Sequence, residues 1–255
     1  MKNPLHEIWE AGGTAHGGWL SIANTVTAEV MGAVGFDYLC VDMQHGTADY
    51  AATLAMFQTL HSSSSVPIAR VPWNEPGIIG RVLDAGAHAV IIPMVNSVAE
   101  AQAAVAACRY PPDGGRSWGP IRAARLHEGY SPASANSGVA VIPMIETAQA
   151  VDDLEDILQI PGIDAVYVGP ADLSISYGLA PASDNDGAFA DALDKIVRVC
   201  TESGVVPGIH TTPQLAQKRR DQGFRMITIT SDSLALAGGA SAMLNGGLGG
   251  GDSIY

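Results

Sequence analysis

The chain has 255 residues, 47% of them hydrophobic, with 26 acidic against 13 basic side chains and a formal net charge of −13 at pH 7. That length fits one α/β barrel of about 250 residues better than two ordinary domains. The acidic balance argues against a nucleic-acid or anionic-membrane partner, which needs a basic face, and no apolar run approaches the roughly 20 residues of a membrane span.

In chain order, the amino-terminal Met1–Glu7 lacks the apolar h-region of a signal peptide. Cys40, Cys108 and Cys200 are odd in number, far apart and set in apolar or helical runs. The expectation is a cytoplasmic protein with reduced, buried thiols. Strand-like segments then recur at Thr14–Ser21, Tyr38–Val41, Ile68–Val71, Ala89–Pro93, Ala140–Ile145, Ala165–Val168, Val205–Ile209 and Met226–Thr230. Between them, apolar residues at three-and-four spacing predict helices over Thr25–Val34, Ala51–Leu60, Gly77–Asp84, Val98–Ala107, Phe189–Glu202 and Gln214–Gln222. Gly35, Gly86, Gly204 and Gly223 follow helix ends, and Thr212-Pro213 reads as a helix start.

Eight strand–helix alternations favour a single (β/α)8 barrel domain over 1–255, and the glycine-rich fingerprint of a dinucleotide site is absent. Two stretches break the alternation. Arg109–Gly138, rich in Pro, Gly and Arg, is expected to be a long functional loop after the fourth strand. A glycine-rich tail from about 245 is expected to be flexible.

Several apolar runs end on residues that can do chemistry. A buried parallel strand is a continuous apolar run, and in a parallel barrel the residues just past the strand ends share one mouth. Phe36–Asp42 runs into His45, Val66–Arg70 ends on a cation, and Val139–Glu146 and Ile163–Asp172 end on carboxylates. Glu146 and Asp172 suit a hard divalent cation that keeps waters and open positions; solvated loop acids or helix caps are the alternative. His45, three residues after Asp42, can be a base oriented by that carboxylate, or a structural rim histidine. Arg70 can stabilise an oxyanion, or form a rim ion pair. Asp84, by pattern alone, is a solvated helix acid, and the backbone N–H groups of Ala171 and Asp172 offer a small anion cradle. His6, His16, His61, His88 and His127 close no apolar run beside a carboxylate and are expected to be structural. Together the strand-end groups suit enolate chemistry on a 2-oxo acid.

The ordered set Gly18–Ser21, Asp42–His45, Ala69–Asn74, Leu83–Ala87, Pro93–Val95, Tyr110–Gly114, Ile145–Thr147 and Val168–Ser174 spans nearly the whole chain. It resembles the metal-dependent class II pyruvate aldolases of the 4-hydroxy-2-oxoheptanedioate and 2-dehydro-3-deoxyglucarate type. The resemblance implies reversible cleavage of 4-hydroxy-2-oxo acids into pyruvate and an aldehyde through a metal-stabilised enolate. It implies His45 with Asp42 as the base, Arg70 as enolate stabiliser, and Glu146 and Asp172 as ligands of magnesium, manganese or cobalt. Trp19, Ala171, Asp172 and His210 fall in the substrate-binding set. Asp84 becomes the partner of an active-site histidine across a subunit boundary, in a homo-oligomer built as a trimer of dimers.

Three departures from the family pattern stand out: Met144 where well-known members carry glutamine, His210-Thr211 at a usually apolar seventh-strand end, and Ser117-Trp118 in the insertion. His210 is expected either on the aldehyde side, hydrogen-bonding a polar acceptor substrate, or as a histidine satisfied within the rim away from substrate. The rival readings are an acyl-CoA ester lyase of the citrate lyase β-chain or malyl-CoA type, an oxaloacetate decarboxylase, and a metabolite-binding barrel without catalysis.

Overall fold

The computed structural model describes residues 1–246. Helix α1 (Pro4–Glu10) precedes β1 (Ala15–Leu20), α2 (Thr25–Gly32), β2 (Tyr38–Asp42), α3 (Tyr50–Leu60), β3 (Val66–Arg70), α4 (Pro76–Asp84), β4 (Ala89–Ile92) and α5 (Val98–Cys108). The insertion carries two short helices, α6 (Ala123–Leu126) and α7 (Pro132–Gly138). Then follow β5 (Ala140–Pro143), α8 (Ala148–Asp152), α9 (Leu154–Ile157), β6 (Ala165–Val168) and α10 (Pro170–Ser176). The last elements are α11 (Ala188–Ser203), β7 (Val206–His210), α12 (Ala216–Gln222), β8 (Met226–Ser231) and α13 (Asp232–Leu244).

The strands pair in parallel in the order β5-β4-β3-β2-β1-β8-β7-β6. The seam between β5 and β6 is bridged at Met144 and Tyr167, where the Ile145 N–H donates to the Tyr167 carbonyl at 2.9 Å, so the sheet curls into a barrel. Each strand is apolar on both faces because each faces two layers. Leu39, Val41, Ala69, Val90, Val141 and Val166 pack outward against the helices. Trp19, Tyr38, Ile68, Ile91, Ile142, Tyr167 and Met226 fill the interior. Leu5 of α1, flanked by Ile8 and Trp9, seals the floor of this inner cluster. Asn3 fixes α1 there, accepting the Leu5 N–H and donating to the carbonyls of His88 and Gly138. The filling is tight: a Cβ on Gly17 would lie 2.1 Å from the Tyr38 ring. A packed interior leaves chemistry only at the ends of the strands.

All eight expected strands are present within one or two residues at each end, and Gly35, Gly86, Gly204 and Gly223 all take positive φ just past their helices. Two expectations are corrected. Thr212-Pro213 does not start α12, which begins at Ala216 after a turn, with Leu215 at the cap. The insertion is not a bare loop. Ser131 and Ser134 cap α7 reciprocally, and buried Arg109 donates to the Val139 and Gly162 carbonyls and pairs with Asp164 at 3.0 Å. The expected flexible tail lies, beyond Gly246, outside the described residues.

Candidate active site

β2 and β3 run in register with Asp42 opposite Arg70, so both side chains emerge side by side at the barrel mouth. Arg70 grips Asp42 with two bonds, Nε to Oδ1 at 2.9 Å and Nη2 to Oδ2 at 2.6 Å. Such a planar, two-pronged pair fixes the guanidinium in one orientation. Burial pushes the Asp42 carboxyl upward, but the Arg70 bonds and charge, helped by Trp19 and the Gln44 N–H, outweigh it and hold Asp42 below the usual range. The Arg70 guanidinium also lies 5.1 Å from the Trp19 ring centre.

Glu146 follows β5 and Asp172 sits in the first turn of α10. Glu146 is 2% exposed, and its Oε1 accepts the backbone N–H of Met94 at 2.9 Å. Met94 holds φ at +54°, a left-handed conformation costing a non-glycine residue about 1–3 kcal/mol; this turn aims its N–H at the carboxylate. Burial pushes Glu146 up to about 7, and Asp172 adds to the push while Met94 and Arg70 oppose it. A Cβ on Gly169 would stand 2.3 Å from Glu146 Oε2, so the chain passes over the carboxylate where only glycine fits. Asp172 is not the cap of α10; Gly169 is, and the first backbone bond there is Leu173 N–H to the Gly169 carbonyl. The N–H groups of Ala171 and Asp172 belong to the first turn, which a helix leaves without internal acceptors.

Trp19, His45, Arg70, Met144, Glu146, Tyr167, Ala171, Asp172 and His210 line one cavity of about 200 Å³. His210 meets Trp19 edge-on at 5.2 Å, and its Nδ1 lies 3.4 Å from the Tyr167 hydroxyl. That hydroxyl donates to Thr228 Oγ1 at 2.6 Å, and Thr228 pairs with the Tyr38 hydroxyl at 2.8 Å. Burial, then the Arg70 charge, lower His210 to about 4. Tyr167 and Met94 were not singled out from sequence. Tyr167 lies inside an apolar run, and Met94 acts through its backbone.

Two expected partnerships are not formed within the chain. The His45 ring makes no hydrogen bond to Asp42 among the described residues; Asp42 Oδ1 instead accepts the His45 backbone N–H at 3.3 Å, because its oxygens are already turned to Arg70. Asp84 lies outside this cavity, pairing with buried Arg116 at 2.6 Å on the outer face of α4. Ser117 and Trp118 also stand away from the mouth; Trp118 packs on Tyr110 and Tyr130.

As for a metal, no group of three or more His, Cys, Asp or Glu side chains is placed to hold one among the described residues. The set on offer is two carboxylates, Glu146 deeply buried and Asp172 beside it. That all-oxygen pair, under a glycine that leaves Glu146 Oε2 uncrowded, fits a hard divalent cation completing its shell with water and substrate oxygens. No described helix is long and apolar enough to cross a membrane.

A family model described as HpcH/HpaI aldolase/citrate lyase matches residues 16–237. The chain is 36% identical over 253 residues to a 4-hydroxy-2-oxo-heptane-1,7-dioate aldolase of Salmonella dublin, covering 95% of this chain and 94% of that one. Among solved structures, an HpcH/HpaI aldolase/citrate lyase family protein from Burkholderia cenocepacia J2315 superimposes with a TM-score of 0.89 at 31% identity, over 95% of this chain and 97% of that one. A citrate synthase, SbnG, gives 0.83 at 27% identity over 95% and 96%.

Proposed function

The chain belongs to the HpcH/HpaI aldolase/citrate lyase family and is a carbon–carbon lyase of aldolase type, and we propose that it cleaves 4-hydroxy-2-oxo acids reversibly into pyruvate, or a close 2-oxo acid, and an aldehyde. The observation that carries this reading is the convergence of the Arg70–Asp42 pair with Glu146 and Asp172 on one small cavity. Glu146 and Asp172 would hold magnesium, manganese or cobalt, which when bound supplies Lewis-acid polarisation of the 2-oxo acid.

The remaining roles belong to the chain itself. The Ala171 and Asp172 N–H groups receive the substrate carboxylate. In cleavage the C3–C4 bond breaks, its electron pair passes to C3 and the 2-oxo oxygen, the 4-hydroxyl loses its proton as the aldehyde forms, and C3 regains one. Arg70, pre-oriented by Asp42, faces the oxygen where charge develops. His45, exposed at the mouth, serves as the base for these proton transfers. Tyr167 donates its own proton to Thr228, so its oxygen accepts from His210 Nδ1–H. His210 Nε2 is left as an acceptor for a hydroxyl on the aldehyde fragment.

The assembly is read as a homo-oligomer, a trimer of dimers, in which Asp84 reaches a histidine of a neighbouring copy. The support is Asp84's position outside its own cavity and two uncovered apolar faces: Val26 and Val30 along α2 with Val34 in the turn after it, and Leu234, Leu236, Met243 and Leu244 on α13.

Pyruvate release from a panel of 4-hydroxy-2-oxo acids, with and without chelator, tests the reading. Release should be fastest from acids yielding hydroxylated aldehydes and should vanish on chelation. Undiminished release from metal-free enzyme, or a lysine adduct trapped by borohydride, would overturn it. The chain's three lysines, Lys2, Lys195 and Lys218, all lie outside the cavity lining.

A further inference from the structure

A second cavity of about 210 Å³ opens at the opposite end of the barrel, beside the starts of β3 and β4. Its lining includes His61, His88, Arg122 and His127 but no aspartate or glutamate, in a chain that carries 26 acidic residues. Arg122 forms no ion pair among the described residues. It reaches across Gly86 instead, Nη1 donating to the Ala85 carbonyl and Nη2 to the Phe57 carbonyl at 3.2 Å. His88 and His127 meet edge-to-face at 5.1 Å, and His88 Nδ1 is buried without a hydrogen-bond partner. The charges that act on His127 are the amino terminus, Arg122 and His61, all cationic or able to become so.

A half-buried cation without a counter-charge and a buried polar nitrogen without a partner both favour an anion in the cavity. The groups come from three segments, the turn after α3, the start of β4 and the α6 region, and so face a ligand from several sides. That arrangement matches a tetrahedral dianion better than a flat carboxylate. We propose that this cavity binds a phosphate group, free or as a phosphomonoester, between Arg122 and the imidazoles of His88 and His127, apart from the catalytic mouth.

Titration calorimetry of the purified enzyme with inorganic phosphate and, separately, glycerol 3-phosphate tests this. Wild type should bind phosphate, and Arg122→Met and His127→Gln should each weaken binding at least tenfold while His45→Ala leaves it unchanged. His127 is only half-buried, so its variant remains informative should Arg122→Met fail to fold. Binding of glycerol 3-phosphate identifies a phosphomonoester site; binding of inorganic phosphate alone identifies a site for the free ion. No binding of either at millimolar concentration would overturn the proposal, as would a loss in His45→Ala with none in the cavity variants.

Discussion

Glu146 is the group whose surroundings most change its chemistry. Its carboxyl is pushed up to about 7 by burial, from an ordinary 4.5. Because the folded chain favours the protonated form, this contribution to stability is complete below about pH 4.5 and is lost as pH rises through about 7. A cation taken up by Glu146 must displace that proton, so its affinity should fall about tenfold per pH unit below 7. Thermal melts with and without manganese should therefore show a large stabilisation at pH 8 and little at pH 5. An equal gain at both would contradict the assignment of Glu146 as a ligand. The four mouth residues His45, Arg70, Glu146 and Asp172 were legible in the sequence, because a buried parallel strand shows its end as the first polar residue after an apolar run. The partner of Asp42 was not: spacing of three permits a bond to His45, whereas the in-register position of Arg70 depends on strand pairing that spacing does not encode. Met94 was hidden because its contribution is a backbone N–H made available by an unusual φ.

At the scale of elements, the β6–α10 junction does most to shape the mouth. Gly169 caps α10 at φ −93°, a conformation alanine also adopts, so substitution there tests space and not backbone freedom. A Cβ 2.3 Å from Glu146 Oε2 forces that carboxylate aside. Gly169→Ala should fold with its barrel intact by circular dichroism and lose metal affinity by at least tenfold in a manganese titration; wild-type affinity would mean that Glu146 Oε2 does not face the cation. The strands were legible because each is a bounded apolar run. The start of α12 was not: a Thr-Pro pair suits a helix entry and a plain turn equally, and the chain uses it as a turn. The helices α6 and α7 escaped notice because α6 is a four-residue turn too short to show a period and the polar run of α7 carries little periodicity; α7 is held by its capping serines and by Asn136, which donates to the Tyr110 carbonyl at 2.9 Å.

At the scale of the whole molecule, length and eightfold alternation were enough for the barrel, whereas the proposed assembly decides whether one copy holds the whole site. His45 stands at the mouth and Asp84 on the outer face of the same chain. If each site takes His45 from one copy and Asp84 from another, then co-refolding inactive His45→Ala and Asp84→Asn chains should restore activity, since mixed oligomers contain some sites with both residues intact. No recovery, with mixed oligomers shown by mass spectrometry, would place Asp84 outside catalysis. If Arg70 and a cation held by Glu146 and Asp172 share the charge of a pyruvate enolate, the enzyme should catalyse deuterium exchange into the pyruvate methyl group with no aldehyde present, which NMR follows. Wild-type enzyme with manganese or magnesium should exchange rapidly. Arg70→Ala should lose about 3–4 kcal/mol of stabilisation, two to three powers of ten in rate, and chelated enzyme should fall to background. Exchange at the wild-type rate in Arg70→Ala would show that Arg70 does not stabilise the enolate, and the same rate in the chelated enzyme that a cation does not.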